Sequence, residues 1–200
     1  MTPFSQADAN FSGLAHEAAK RLVYPKIFPG HEYRFEENTL MRESDMGKIL
    51  DGRMGIDRVA YVRPRSMHLR GWFPFTIQER FRRPSYRGYS DLTITEWNHA
   101  SGTPSELYKL FANLFIYGYY DPDSDKFGDC VCVSVTKMLF FLLRAEKGED
   151  FLVRMNKKHQ SFIAVEFRLL KERGCILYHQ GERPPRMVRL ALRQGELSPA

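Results

Sequence analysis

Two apolar stretches lie within thirty residues, between Met54 and Arg83, and their pairing constrains this chain more than any other feature. Ile56 to Val62 is rich in β-branched and aromatic residues and reads as a strand that Pro64 ends. Trp72 to Phe81 reads as the next strand. It carries Phe75, Ile77, Glu79 and Phe81 on one parity and Thr76, Gln78, Arg80 and Arg82 on the other. Beyond Pro84 and Gly88, Asp91 to Trp97 reads as a third strand, and three such close neighbours predict an antiparallel meander.

The flanking periodicities complete an α/β pattern. Phe11, Leu14, Ala15, Ala18, Ala19 and Leu22 recur at helical spacing, so residues 5–24 are expected to form an amphipathic helix. Tyr24-Pro25 and Phe28-Pro29-Gly30 should stop it. Tyr33 to Glu36 fits a short strand or an irregular arm, and residues 38–53 fit a polar approach to the first central strand. Thr103, Pro104 and Glu106 make a capping-box arrangement. Leu107, Leu110, Phe111, Leu114, Phe115 and Gly118 then line one side, which predicts a long helix over 104–120. Asp121 to Gly128 reads as a loop, Asp129 to Val135 as a strand and Thr136 to Ala145 as a helix. Two short strands, Phe162 to Phe167 and Cys175 to His179, precede a basic tail expected to be disordered over its last six residues. No repeat or linker divides the 200 residues, so a single domain with a sheet flanked by helices is expected.

Composition narrows the class. A hydrophobic fraction of 43% with 14% aromatic residues is too high for a disordered chain. The longest apolar run, Met138 to Leu143, is far short of the roughly 20 residues that span a bilayer. Met1 to Asn10 lacks the basic start and apolar core of a signal peptide. Cys130, Cys132 and Cys175 cannot all pair with one another and match no repeated CxxC pattern. Reduced thiols and a cytoplasmic location are the expectation. Gly-x-Ser-x-Gly, P-loop and Gly-x-Gly-x-x-Gly motifs are absent from the chain, which removes the functions that depend on them. The net charge of +6 is concentrated: from Arg58 to Arg87 there are eight arginines and one acid, Glu79. Arginine's planar fork suits bidentate phosphate contacts, so this concentration points to nucleic acid. A solvated basic face with no partner is the competing reading.

The element order, with Asp57 on one strand and Gln78-Glu79-Arg80 on the next, resembles the PD-(D/E)XK nuclease superfamily, which includes restriction endonucleases and archaeal Holliday-junction resolvases. The resemblance runs from about Ser5 to Val135. It implies a restriction-endonuclease-like mixed β-sheet built on a helix, a three-strand meander, a helix and a further strand, flanked by helices. It also implies a metal-dependent phosphodiester hydrolase acting on DNA, with Mg²⁺ or Mn²⁺ as cofactor and a homodimer as a plausible state. Asp57 takes the family's acidic position, Gln78 the (D/E) position and Arg80 the lysine position. The chain departs from the pattern in its glutamine, in its arginine and in the Gly55-Ile56 that precedes Asp57. Arginine steadies negative charge but stays protonated and cannot act as a base.

The chemistry gives a reason for the constellation. Phosphodiester hydrolysis is helped by a divalent ion with oxygen ligands, and a cation two residues along the strand lies on the same face as the preceding ligand. Either Gln78 or, through a strand bulge, Glu79 would be the second metal ligand; without a bulge Glu79 faces away and pairs with an arginine. Glu17 and Glu96 are further candidate acids. Arg58, Arg63, Arg65, Arg82, Arg83 and Arg87 would bind the phosphate backbone.

Overall fold

A computed structural model describes residues 6–36, 49, 53–65, 71–156 and 159–181. The expected polar approach over 38–53, Lys157-Lys158 and the basic tail fall largely outside these residues. Helix α1, Gln6–Leu22, presents Ala15, Ala18 and Ala19 as a buried stripe of small side chains that lets it lie close to a sheet. Tyr24-Pro25 does not end helical structure: a four-residue helix α2, Tyr24–Ile27, follows at once. Its proline sits in the first turn, where a missing N–H costs nothing.

Two sheets follow. The larger is mixed and six-stranded, built from β1 (Glu32–Phe35), β2 (Arg58–Arg63), β3 (Phe73–Arg82), β6 (Leu114–Asp121), β7 (Lys126–Ser134) and β10 (Ile176–Gln180), in the order β1-β2-β3-β6-β7-β10. The smaller is antiparallel, in the order β5-β4-β9-β8, from β4 (Asp91–Asn98), β5 (Thr103–Pro104), β8 (Leu152–Met155) and β9 (Gln160–Glu166). Helix α3, Val135–Leu142, follows β7, and helix α4, Phe167–Glu172, follows β9.

Strand alternation divides the core in two. Ala60, Val62, Ile77, Leu114, Ile116, Cys130 and Cys132 pack with the α1 alanines and Tyr24. Phe115, Tyr117, Tyr119, Val131 and Val133 turn the other way, onto Leu92, Ile94, Ile163 and Val165 of the small sheet and Met138 and Leu170 of α3 and α4. The central strands β6 and β7 of the large sheet are therefore covered on both faces.

Two expectations are corrected. The strand at 91–97 forms, but in the small sheet, so the antiparallel meander is β1-β2-β3. The helix expected over 104–120 does not form. Residues Glu106–Lys109 make one short 3₁₀ turn, and Leu114–Asp121 is a strand buried along nearly its whole length, paired parallel to β3 and antiparallel to β7. The physical reason lies in Leu114-Phe115-Ile116-Tyr117-Gly118-Tyr119-Tyr120: a strand covered on both faces is apolar at every position and so mimics a helical stripe. The crossover that a parallel pair requires is supplied by residues 83–113, which carry β4 into the second sheet. No helix among the described residues is long and apolar enough to cross a membrane.

Candidate functional site

The β2–β3 pairing sets Arg58 opposite Ile77, which puts Asp57 opposite Gln78 one residue earlier. The Asp57 N–H donates to the Ile77 carbonyl at 2.8 Å, and Asp57 Oδ2 accepts the Glu79 N–H at 2.7 Å. The carboxylate thus extends the ladder by one rung just before β2 begins. Just before it, Gly55 adopts φ +56°, a left-handed conformation that glycine tolerates without a Cβ penalty. A Cβ on Gly55 would stand 3.0 Å from the Lys109 carbonyl oxygen and 3.2 Å from Gln78 Oε1. Those two oxygens therefore gather at the turn that leads into Asp57. Gln78 Oε1 is buried and has no hydrogen-bond partner among the described residues.

Arg80 leaves β3 on the same face as Gln78, toward the small sheet. Its Nη1 donates to Glu106 and to the Thr93 carbonyl at 3.2 Å. Glu106 Oε2 also accepts from Thr95 Oγ1 at 3.2 Å, and Ser105 Oγ donates to that hydroxyl at 3.0 Å. In the sequence Glu106 reads as a capping residue; in the fold it is the carboxylate that neutralises Arg80. Only a β6 strand position, which sends the preceding turn across β3, could have revealed this.

Glu79 stands apart from this group. The register of β3 against β6 runs unbroken from Ile77 to Arg82, so no bulge turns Glu79 toward Gln78. Its side chain is fully buried on the α1 face. It accepts from His16 Nδ1–H at 2.5 Å, Arg58 Nε at 2.7 Å and the Tyr24 hydroxyl at 2.5 Å. Burial pushes its pKa up, but the His16 hydrogen bond, the His16 and Arg58 charges and the Tyr24 hydrogen bond outweigh that and hold it below the ordinary value. The same surroundings push the Tyr24 phenol up, first by burial and then by the neighbouring carboxylate. Of the two candidate second ligands, only Gln78 lies beside Asp57 on the face that Arg80 shares.

The arginines do not make one phosphate-binding face. Arg58 is committed to Glu79, Arg83 to Asp8 and the Phe11 ring on α1, and Arg87 to the buried Asp129 at 3.2 Å. Arg82 lies over the Tyr86 ring on the opposite side of β3 from Glu79, Arg63 is 3.9 Å from Glu32 at the far end of β2, and Arg65 is exposed just beyond it. Of the further acids, Glu17 pairs with Lys20 on the surface of α1, and Glu96 accepts from Ser161 within the small sheet at 3.3 Å. Neither joins Asp57 and Gln78.

The donor set at the Gly55–Asp57 turn is all oxygen: one carboxylate, one amide carbonyl and one backbone carbonyl. Such donors suit a hard divalent cation that keeps several waters. Among the described residues no group of three or more His, Cys, Asp or Glu side chains is placed to hold a metal, so any ion here would rest on carbonyl donors besides Asp57. The buried, unpartnered Gln78 oxygen fits that role. Comparison with protein-family models, curated proteins and solved structures gives no match.

Proposed function

We propose that this protein is a Mg²⁺- or Mn²⁺-dependent phosphodiester hydrolase acting on DNA. The observation that carries the reading is Gln78 Oε1, a buried carbonyl oxygen without a partner among the described residues, beside Asp57 and two residues before Arg80 on a single face of β3. Asp57 and Gln78 would hold the ion, with the Lys109 carbonyl next to them. A divalent ion bound there supplies Lewis acidity toward a phosphate oxygen and a more acidic bound water. Arg80 provides a permanent positive charge for the phosphate as negative charge builds on it. Release of Arg80 from Glu106 is then part of substrate engagement, because a phosphate must compete with that carboxylate.

A second reading has its own support. Glu79 is consumed in the buried network and Arg80 is already neutralised, so the same site would equally serve a nucleic-acid-binding protein without turnover. One experiment separates the two. The purified protein is incubated with labelled DNA in Mg²⁺, in Mn²⁺ and in EDTA, alongside Asp57→Asn. Asparagine preserves an acceptor for the Glu79 N–H but removes the charge that would hold the ion. Cutting that needs the metal and falls at least 100-fold in Asp57→Asn, with an unchanged thermal midpoint, supports hydrolysis. Metal-independent cutting, or full activity in Asp57→Asn, overturns it. Salt-sensitive binding unaffected by EDTA and weakened in Arg80→Ala, with no turnover in either metal, supports the second reading.

A further inference from the structure

A second cationic surface lies away from β2 and β3. Helix α3, the 146–150 loop and the turn between α4 and β10 enclose an open groove of about 490 Å³, lined by Lys137, Phe140, Phe141, Arg144, Asp150 and Arg173, with Gly174 at its edge. Lys137, Phe140 and Phe141 fall at helical spacings of three and four on α3, and Arg144 lies in the turn that follows the helix and lines the same groove. Phe140 is 60% exposed, which leaves its ring open to a planar partner. Arg173 lies over the Phe141 ring at 5.8 Å.

The charges in the groove are unevenly spent. Asp150 is its one lining acid, and both its oxygens are occupied: Oδ2 accepts the Glu146 N–H at 3.0 Å and Oδ1 accepts from Arg173 Nη2 at 3.4 Å. The acid therefore shapes the loop and fixes Arg173 in place. Lys137 and Arg144 are exposed and carry no ion pair among the described residues. An exposed ring between two cations, with a third cation held against a neighbouring ring, has the parts of a single-strand site: a stacking platform for a base and charge for the flanking phosphates.

We infer that this groove binds single-stranded nucleic acid, with a base on Phe140 and phosphates on Lys137, Arg144 and Arg173. An acidic peptide would use the cations but would leave the exposed ring without a planar partner. The inference uses none of the residues of the Asp57 site, and its test is run without metal so that the two can fail separately.

The test is fluorescence anisotropy of a labelled oligothymidine in EDTA, with wild type, Lys137→Ala/Arg144→Ala and Phe140→Ala. The double variant is expected to bind at least tenfold more weakly. Its salt dependence should become shallower by about 1.4 in log–log slope, since each neutralised phosphate of a single strand contributes about 0.7. Phe140→Ala should weaken binding at least fivefold, and an abasic strand should bind Phe140→Ala and wild type alike. All substituted groove side chains are exposed, and unchanged thermal midpoints establish that the variants are folded. Unaltered affinity in the double variant, or in Phe140→Ala, overturns the inference. Displacement of the oligonucleotide by polyglutamate at equal charge concentration also overturns it, in favour of an acidic protein partner.

Discussion

Gly55 occupies two constraints at once. Its φ of +56° costs an L-residue about 1–2 kcal/mol through the Cβ–carbonyl clash, and the space where a Cβ would go is already bounded by the Lys109 carbonyl and Gln78 Oε1. Gly55→Ala is therefore expected to lower stability by about 1–2 kcal/mol in urea denaturation and to push Gln78 away from the turn. If Gln78 Oε1 is a ligand, the affinity for Mn²⁺ measured by calorimetry should fall further than the stability does. Unchanged Mn²⁺ binding in folded Gly55→Ala would separate Gln78 from the ion. At this scale the sequence was partly legible. Alternation alone set Gln78 and Arg80 against Glu79. The partners were not legible, because His16 and Tyr24 reach Glu79 from 63 and 55 residues away.

Elements with one wet face were easier to read than elements with none. α1 has an exposed side, so its period survives in the sequence, as does the alternation of β3. β6 has neither signal. It lies between β3 and β7 with a packed layer above and below, and its length of eight residues, with Phe, Ile and Tyr in number, was the better guide. The same position makes a measurable difference. Amides of β6 bonded to β3 and β7 can exchange only when the middle of the large sheet opens, whereas edge strands β1 and β8 have one neighbour each. Native-state hydrogen exchange should therefore find the slowest amides in 114–120, with free energies of opening near the global value. A fast-exchanging 114–120 beside protected helices would contradict this sheet order.

Over the whole molecule, the two packed layers on either side of the large sheet each bury an acid, with opposite consequences for pH. The layout itself was only coarsely legible, since nothing local announces that the chain leaves β3 for a second sheet and returns to pair parallel with it. Glu79, on the α1 side, has a native pKa below its ordinary 4.5. Its unfolded form therefore binds protons first, and its contribution is complete above about pH 4.5 and is lost as pH falls through the native value. Asp91, the first residue of β4 in the small sheet, accepts from the Tyr119 hydroxyl at 3.4 Å; burial raises its pKa above 3.8 even though Arg82 and Arg154 act to lower it. There the native form binds protons first, so its ionisation costs stability at neutral pH and acidification down to about 3.8 relieves the cost. On lowering the pH from 7, urea midpoints of the wild type should hold or rise slightly before falling below about pH 4.5. Asp91→Asn should be more stable than wild type at pH 7 and lose the early rise. Glu79→Ala should lose about 3–5 kcal/mol at pH 7, because Arg58 is left buried without its partner, and the loss relative to wild type should shrink in acid. An acid limb with the same midpoint and slope in Glu79→Ala as in wild type would show that this network does not carry the low-pH stability of the fold.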